Sequence, residues 1–140
     1  MKKSVLFSIL LIYILSIVIV GIFGVKYTSY NPTIYVNKIE INGENIKNMG
    51  YAKYQTSFKF NEKDKNNNFV IFSWQVLPKN STNKKVIFEY DRSSTIAEFI
   101  NDGIRPPMVK FKKFGTFTIK IKPADRPGDY GAELTIIAKK

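Results

Sequence analysis

The chain opens on an uninterrupted apolar run, Ser4 to Val25, which is preceded by Lys2 and Lys3 and contains no charged side chain. At the helical rise such a run makes a rod of about 33 Å, against a bilayer hydrocarbon core of about 30 Å. It therefore reads as a transmembrane helix, and everything after it as material delivered to one side of a membrane. The competing reading is a removable signal peptide, which has the same positive start but an apolar stretch of only about 7 to 15 residues and small residues at its cleavage site. Near the end of this run only Gly21 and Gly24 are small, with Ile19 and Ile22 two residues before them, so no Ala-x-Ala-like site is present. The expectation is an uncleaved signal anchor in the cell membrane.

Orientation follows from basic residues, which concentrate on the cytoplasmic flank of a membrane span. Lys2, Lys3 and the terminal amine precede the helix, whereas Lys26 is the sole basic residue between the helix and Lys38. The sequence thus predicts a cytoplasmic N-terminus at 1–3, a membrane helix at 4–25, a spacer at 26–33 and an extracellular domain at 34–140. About 110 residues remain beyond the spacer, enough for one domain to bury a core without metal or disulfide staples.

Composition excludes more chemistry than it suggests. Cysteine is absent, which removes disulfides, thiolate nucleophiles and the usual structural zinc sites. Histidine is absent too, and with it the commonest general base, the commonest transition-metal ligand and every imidazole-dependent triad. Neither a catalytic activity nor a cofactor is expected. The formal net charge is +11, from 22 Lys and Arg against 11 Asp and Glu. Such an excess favours anionic surfaces, and it also keeps strand faces solvated and blocks edge pairing.

Beyond the spacer the apolar residues alternate. Ile34 and Val36 share one parity and Ile39 and Ile41 the other, so a bulge or a change of sheet is expected near Asn37 and Lys38, followed by a turn at Asn42 and Gly43. Tyr54, Thr56, Phe58 and Phe60 form a half-buried strand that runs into a solvated polar loop from Asn61 to Asn68. Val70, Phe72, Trp74 and Val76 share one face of a central strand closed by Pro78. Further strands carry Val86, Phe88 and Tyr90; Ala97 and Phe99; Val109 and Phe111; Phe117, Ile119 and Ile121; and Leu134, Ile136 and Ala138. The turn before the last comprises Asp125, Arg126, Pro127, Gly128 and Asp129. Seven to eight strands in about 100 residues, with no helical period after the anchor, predict an all-β antiparallel sandwich of immunoglobulin-like type.

The order of residues from about Ile34 to Ala138, most strongly from Pro78 to Ile121, resembles the bacterial immunoglobulin-like domains of group 2, modules of invasin- and intimin-type adhesins and of many Gram-positive surface proteins. The resemblance rests on Val76, Leu77 and Pro78; the polar turn Asn80 to Lys84; Val86 to Phe88; Ala97 and Phe99; Gly103; and Gly115 through Ile119. Phe88 stands where the family commonly has Trp, and the polar stretch Gly43 to Asn68 is an addition. The resemblance implies a cell-surface or adhesion context, with no shared catalytic residue and no universal ligand.

Lys110, Lys112, Lys113, Lys120 and Lys122 form the densest basic cluster and are the candidate contacts to an anionic surface. A sandwich would divide them between two faces, because the segments on either side of Gly115 belong to opposite sheets. Asp102, Asp125, Asp129 and Glu133 match no calcium loop in their spacing and read as turn residues. Asn80, Ser81 and Thr82 satisfy a glycosylation pattern that matters only in a eukaryotic secretory route. Glu89 and Asp91 lie on one strand face with no implied cleft, which argues against a glycosidase pair. The expected function is a membrane-anchored binding, adhesion or scaffold module whose partner is a protein or envelope polymer and not nucleic acid. The alternative is a lysine-rich domain that binds anionic envelope polymers or lipid head groups.

Overall fold

The computed structural model describes residues 2–27, 31–126 and 131–140, and the chain divides into two compact units, Met1–Pro32 and Thr33–Lys140. The first contains helix α1, Lys3–Tyr27, slightly longer than the apolar run predicts. Apolar residues occupy its whole circumference, and from Val5 to Ile22 they are exposed, a pattern that suits a lipid solvent rather than a protein core. Two of its serine hydroxyls are satisfied internally: Ser8 Oγ donates to the Ser4 carbonyl at 3.0 Å and Ser16 Oγ to that of Tyr13 at 2.7 Å. The segment Lys3–Ile22 is long and apolar enough to cross a membrane, which is what either a membrane anchor or a signal sequence requires.

The second unit is a β-sandwich. Its strands are β1 (Lys38–Gly43), β2 (Lys47–Gly50), β3 (Lys53–Lys59), β4 (Phe69–Leu77), β5 (Val86–Tyr90), β6 (Ala97–Ile100), β7 (Met108–Phe111), β8 (Gly115–Pro123) and β9 (Ala132–Lys139). One sheet has the order β1-β4-β7-β6 and the other β2-β3-β9-β8-β5. The nine strands exceed the expected seven to eight because β2, which is exposed throughout, carries no alternating pattern to reveal it. Nor is the sandwich wholly antiparallel: β3 runs parallel to β9, with Lys53 opposite Glu133 and Lys59 opposite Lys139.

Alternation explains the core. Ile39, Ile41, Phe72, Val76, Val109, Phe111, Phe117, Ile119, Ile121, Leu134 and Ile136 are all buried, each on the inward parity of its strand. Along the middle, Trp74 of β4 meets Phe88 of β5 edge-on at 5.1 Å, and Phe99 of β6 lies 5.0 Å from Phe88 and 5.1 Å from Tyr90. These rings bridge the two sheets, and contacts of this kind add about 0.5–1.5 kcal/mol each beyond area burial.

The parity conflict at the start of the domain resolves differently from a bulged strand. Residues 34–37 are not in a strand, although Val36 is fully buried and Asn37 N donates to the Leu77 carbonyl at 2.9 Å. β1 begins only at Lys38, so Ile39 and Ile41 inherit the inward parity. The following turn falls at Glu44 and Asn45, not at Asn42 and Gly43, with Asn45 at φ 57°. Gly43 still belongs to β1, paired with Phe72 of β4, and it passes close to a neighbour: a Cβ there would stand 2.9 Å from the Ile71 carbonyl oxygen. The loop 61–68 is not wholly solvated either, since Asn68 is 1% exposed. Of the expected turn before β9, Pro127 to Asp129 lie outside the described residues, as do residues 28–30 of the spacer.

Candidate functional site

The five candidate lysines do not form one surface. Lys110 stands on β7 between Phe69 of β4 and Glu98 of β6, pointing away from the inward-facing Val109 and Phe111. Lys120 and Lys122 occupy the outward parity of β8, in the other sheet. The division follows from the crossing between β7 and β8, where Lys112 N and Lys113 N both donate to the Ile96 carbonyl.

Most of the cluster is also answered by acids. Lys112 Nζ lies 3.0 Å from Glu98, Lys122 Nζ 2.7 Å from Glu89, and Lys120 Nζ 3.8 Å from Glu133. Register accounts for two of these pairs, because Lys120 sits opposite both Glu89 on β5 and Glu133 on β9, while Lys122 is two residues further along. Exposed pairs of this sort contribute about 0–1 kcal/mol each; they neutralise local charge more than they build a receptor. Glu89 is thereby committed to an ion pair, and Asp91 accepts from the Ser93 hydroxyl at 2.6 Å and amide at 2.9 Å. Those bonds, the hydroxyl's first, hold the Asp91 carboxyl below its ordinary value.

The acidic residues weighed for calcium are dispersed in the same way. Asp102 accepts from the Ile104 and Arg105 amides at 3.0 and 2.9 Å, which lowers its pKa, the Arg105 amide contributing most. Glu133 faces Lys120, Asp129 lies outside the described residues, and no cluster of three metal-ligating side chains occurs among the described residues. Asp125 has both carboxylate oxygens shielded from solvent without a hydrogen-bond partner. In the Asn80-Ser81-Thr82 turn the hydroxyls serve structure: Ser81 Oγ donates to the Pro78 carbonyl, and Thr82 Oγ1 accepts from Ile34 N at 2.8 Å. One cleft, of about 310 Å³, lies between Tyr90, Asp91, Arg92, Phe99 and Lys112; its charged lining is mixed in sign.

One feature escaped sequence reasoning. Between β2 and β3 the chain turns at Tyr51 and Ala52, at φ 51° and 57°, after Gly50 at φ 87°. Positive φ at both central residues is the signature of a type I′ hairpin turn, which ordinarily selects Asn-Gly or Asp-Gly. Tyr51 is 100% exposed there, and Met49 is 60% exposed beside it. Gly50, midway between Lys47 and Lys53, was the cue that the sequence offered.

Compared with protein-family models and with curated proteins, the chain matches none.

Proposed function

We propose that this chain is a membrane-anchored extracytoplasmic immunoglobulin-like module that binds or scaffolds other envelope components without catalysing a reaction. The observation that carries the reading is strand order. The sheet β1-β4-β7-β6 corresponds to strands A-B-E-D of an immunoglobulin sandwich, and the run β5-β8-β9 to C-F-G. The parallel pairing of β3 with β9 then makes β3 a second half of the first strand, displaced onto the opposite sheet, and β2 an added hairpin arm. The group 2 resemblance carried by Pro78, Ala97, Phe99 and the Gly115-Thr116 start of β8 is consistent with that order. Absence of His and Cys supports a non-catalytic role, as does the engagement of Glu89, Glu98 and Glu133 in ion pairs and of Asp91 and Asp102 in turns.

Protease shaving of intact cells, combined with sequencing of the mature N-terminus, tests the proposal. A domain cut from intact cells, on a chain that retains α1, supports it. A domain protected until lysis, or mature protein that starts after Gly24 and is free in the medium, overturns it.

A further inference from the structure

The segment that enters the sandwich shares one end of it with three other segments. Thr82 N donates to the Ile34 carbonyl and Ile34 N to Thr82 Oγ1, both at 2.8 Å, so residues 33–37 lie against the β4–β5 loop. Arg126, after β8, stacks over the Tyr35 ring at 4.6 Å, and Ala124 N donates to the Lys85 carbonyl at 2.9 Å. Glu133 N donates to the Ala52 carbonyl at 2.9 Å, which brings the β2–β3 hairpin tip to the same end. Four exposed lysines stand on these segments, Lys53, Lys79, Lys84 and Lys85. Of the described carboxylates nearby, Asp125 has its oxygens turned away from solvent, and Glu133, near the start of β9, lies 3.8 Å from Lys120. Tyr51 projects from this end fully exposed, with Met49 beside it.

The chain itself says what lies nearby. Helix α1 ends at Tyr27 and the sandwich unit begins at Thr33, a connection that spans at most about 20 Å even when extended. If α1 stays in the bilayer, as the proposed function requires, the end of the sandwich that carries Thr33 is confined to the vicinity of the lipid head groups. From this we infer that it is a bilayer-docking face: the four lysines meet anionic phospholipid head groups, and Tyr51 with Met49 enters the interface between head groups and acyl chains. A tyrosine suits that depth because its ring is apolar and its hydroxyl stays wet. Its conformation fits a functional placement as well, since a bulky residue at positive φ is held there at a cost. Each lysine near an anionic surface is worth about a five-fold factor in partitioning, and that factor is lost as salt shortens the screening length.

Because the chain lacks cysteine, single-cysteine labelling tests the inference on the full chain in nanodiscs of phosphatidylglycerol and phosphatidylcholine. Fluorophores are placed at Tyr51→Cys or, at the far end of the sandwich, at Phe114→Cys, and lipids spin-labelled below the head group serve as quenchers. Both native residues are exposed, and emission from the half-buried Trp74 reports that the fold is intact. Expected is about two-fold or greater quenching at position 51, little at 114, and relief in pure phosphatidylcholine, in about 1 M salt, or in the K53E/K79E/K84E/K85E variant. No quenching at 51 while the chain stays in the nanodisc through alkaline wash overturns the docking face alone. Equal quenching at 114 also overturns it. Loss of the chain from the nanodisc overturns the anchor reading, and the docking inference with it.

Discussion

Asn68 offers the sharpest test of how this sandwich is held together. Its side chain, 1% exposed, closes the loop between β3 and β4 in both hydrogen-bonding senses. Oδ1 accepts from Asn61 N at 2.8 Å, and Nδ2 donates to the Asn61 carbonyl at 2.8 Å and to the Asp64 carbonyl at 3.1 Å. Its own carbonyl accepts from Phe111 N at 2.8 Å, so the loop is tied to the end of β7 as well. Substituting Ala removes three hydrogen bonds, each worth about 0.5–1.5 kcal/mol net. The backbone partners left behind belong to loop residues, Asn61 being exposed, so water recovers part of the loss. The expected cost of Asn68→Ala is about 2–3 kcal/mol, read as a lower urea midpoint at unchanged slope. Asn68→Asp should cost at least as much, because a carboxylate can accept from Asn61 N but cannot donate to two carbonyls. A loss below about 0.5 kcal/mol for both variants would mean that the loop opens freely, and would refute the argument that this side chain organises it.

Three further outcomes follow from the same structure. Replacing Tyr51-Ala52 by Asn-Gly should stabilise the domain by about 1–2 kcal/mol in thermal or urea melts, because it relieves two positive-φ residues; no change would mean the turn is not strained. Phe99→Ala removes the ring shared by Phe72, Phe88 and Tyr90 and should cost about 3 kcal/mol, with a shift in Trp74 emission through Phe88. Stability against pH should be flat near neutrality and fall at both extremes. Asp91 and Asp102 have folded pKa values below the ordinary 3.8, so their contribution is present above about pH 4 and lost as pH falls through the folded values. Lys38, raised above 10.5 chiefly by its hydrogen bond to Glu40, contributes below that pH and loses the contribution as pH rises past the folded value. The D91N/D102N double variant should have a shallower acid-side slope in pH-dependent urea melts.

Strand residues inside the domain were legible wherever one side of a strand met the core and the other met water. Phe72 to Val76, Phe117 to Ile121 and Leu134 to Ala138 alternate in sequence and are buried or half-buried on the expected parity. β2 was not legible, because an arm that buries nothing leaves no pattern in its residues. The lysine cluster was legible as composition, and so was its division between two sheets, but the acids that pair with it were not. Five basic residues within a short stretch of sequence were separated by the crossing from β7 to β8, and three of them were paired with Glu98, Glu133 and Glu89 from other strands.

The sequence by itself determined the apolar helix, the absence of imidazole and thiol chemistry, and a two-layer β domain, since each depends on local composition or on a period of two along the chain. Tertiary structure decided which strands are neighbours: the parallel partnership of β3 with β9, the gathering of Lys53, Lys79, Lys84 and Lys85 at the end that carries Thr33, and the placement of Tyr51 in the open. Those outcomes depend on contacts between residues far apart in the chain, where hydrogen-bond register and burial, and no local preference, set the position of each side chain.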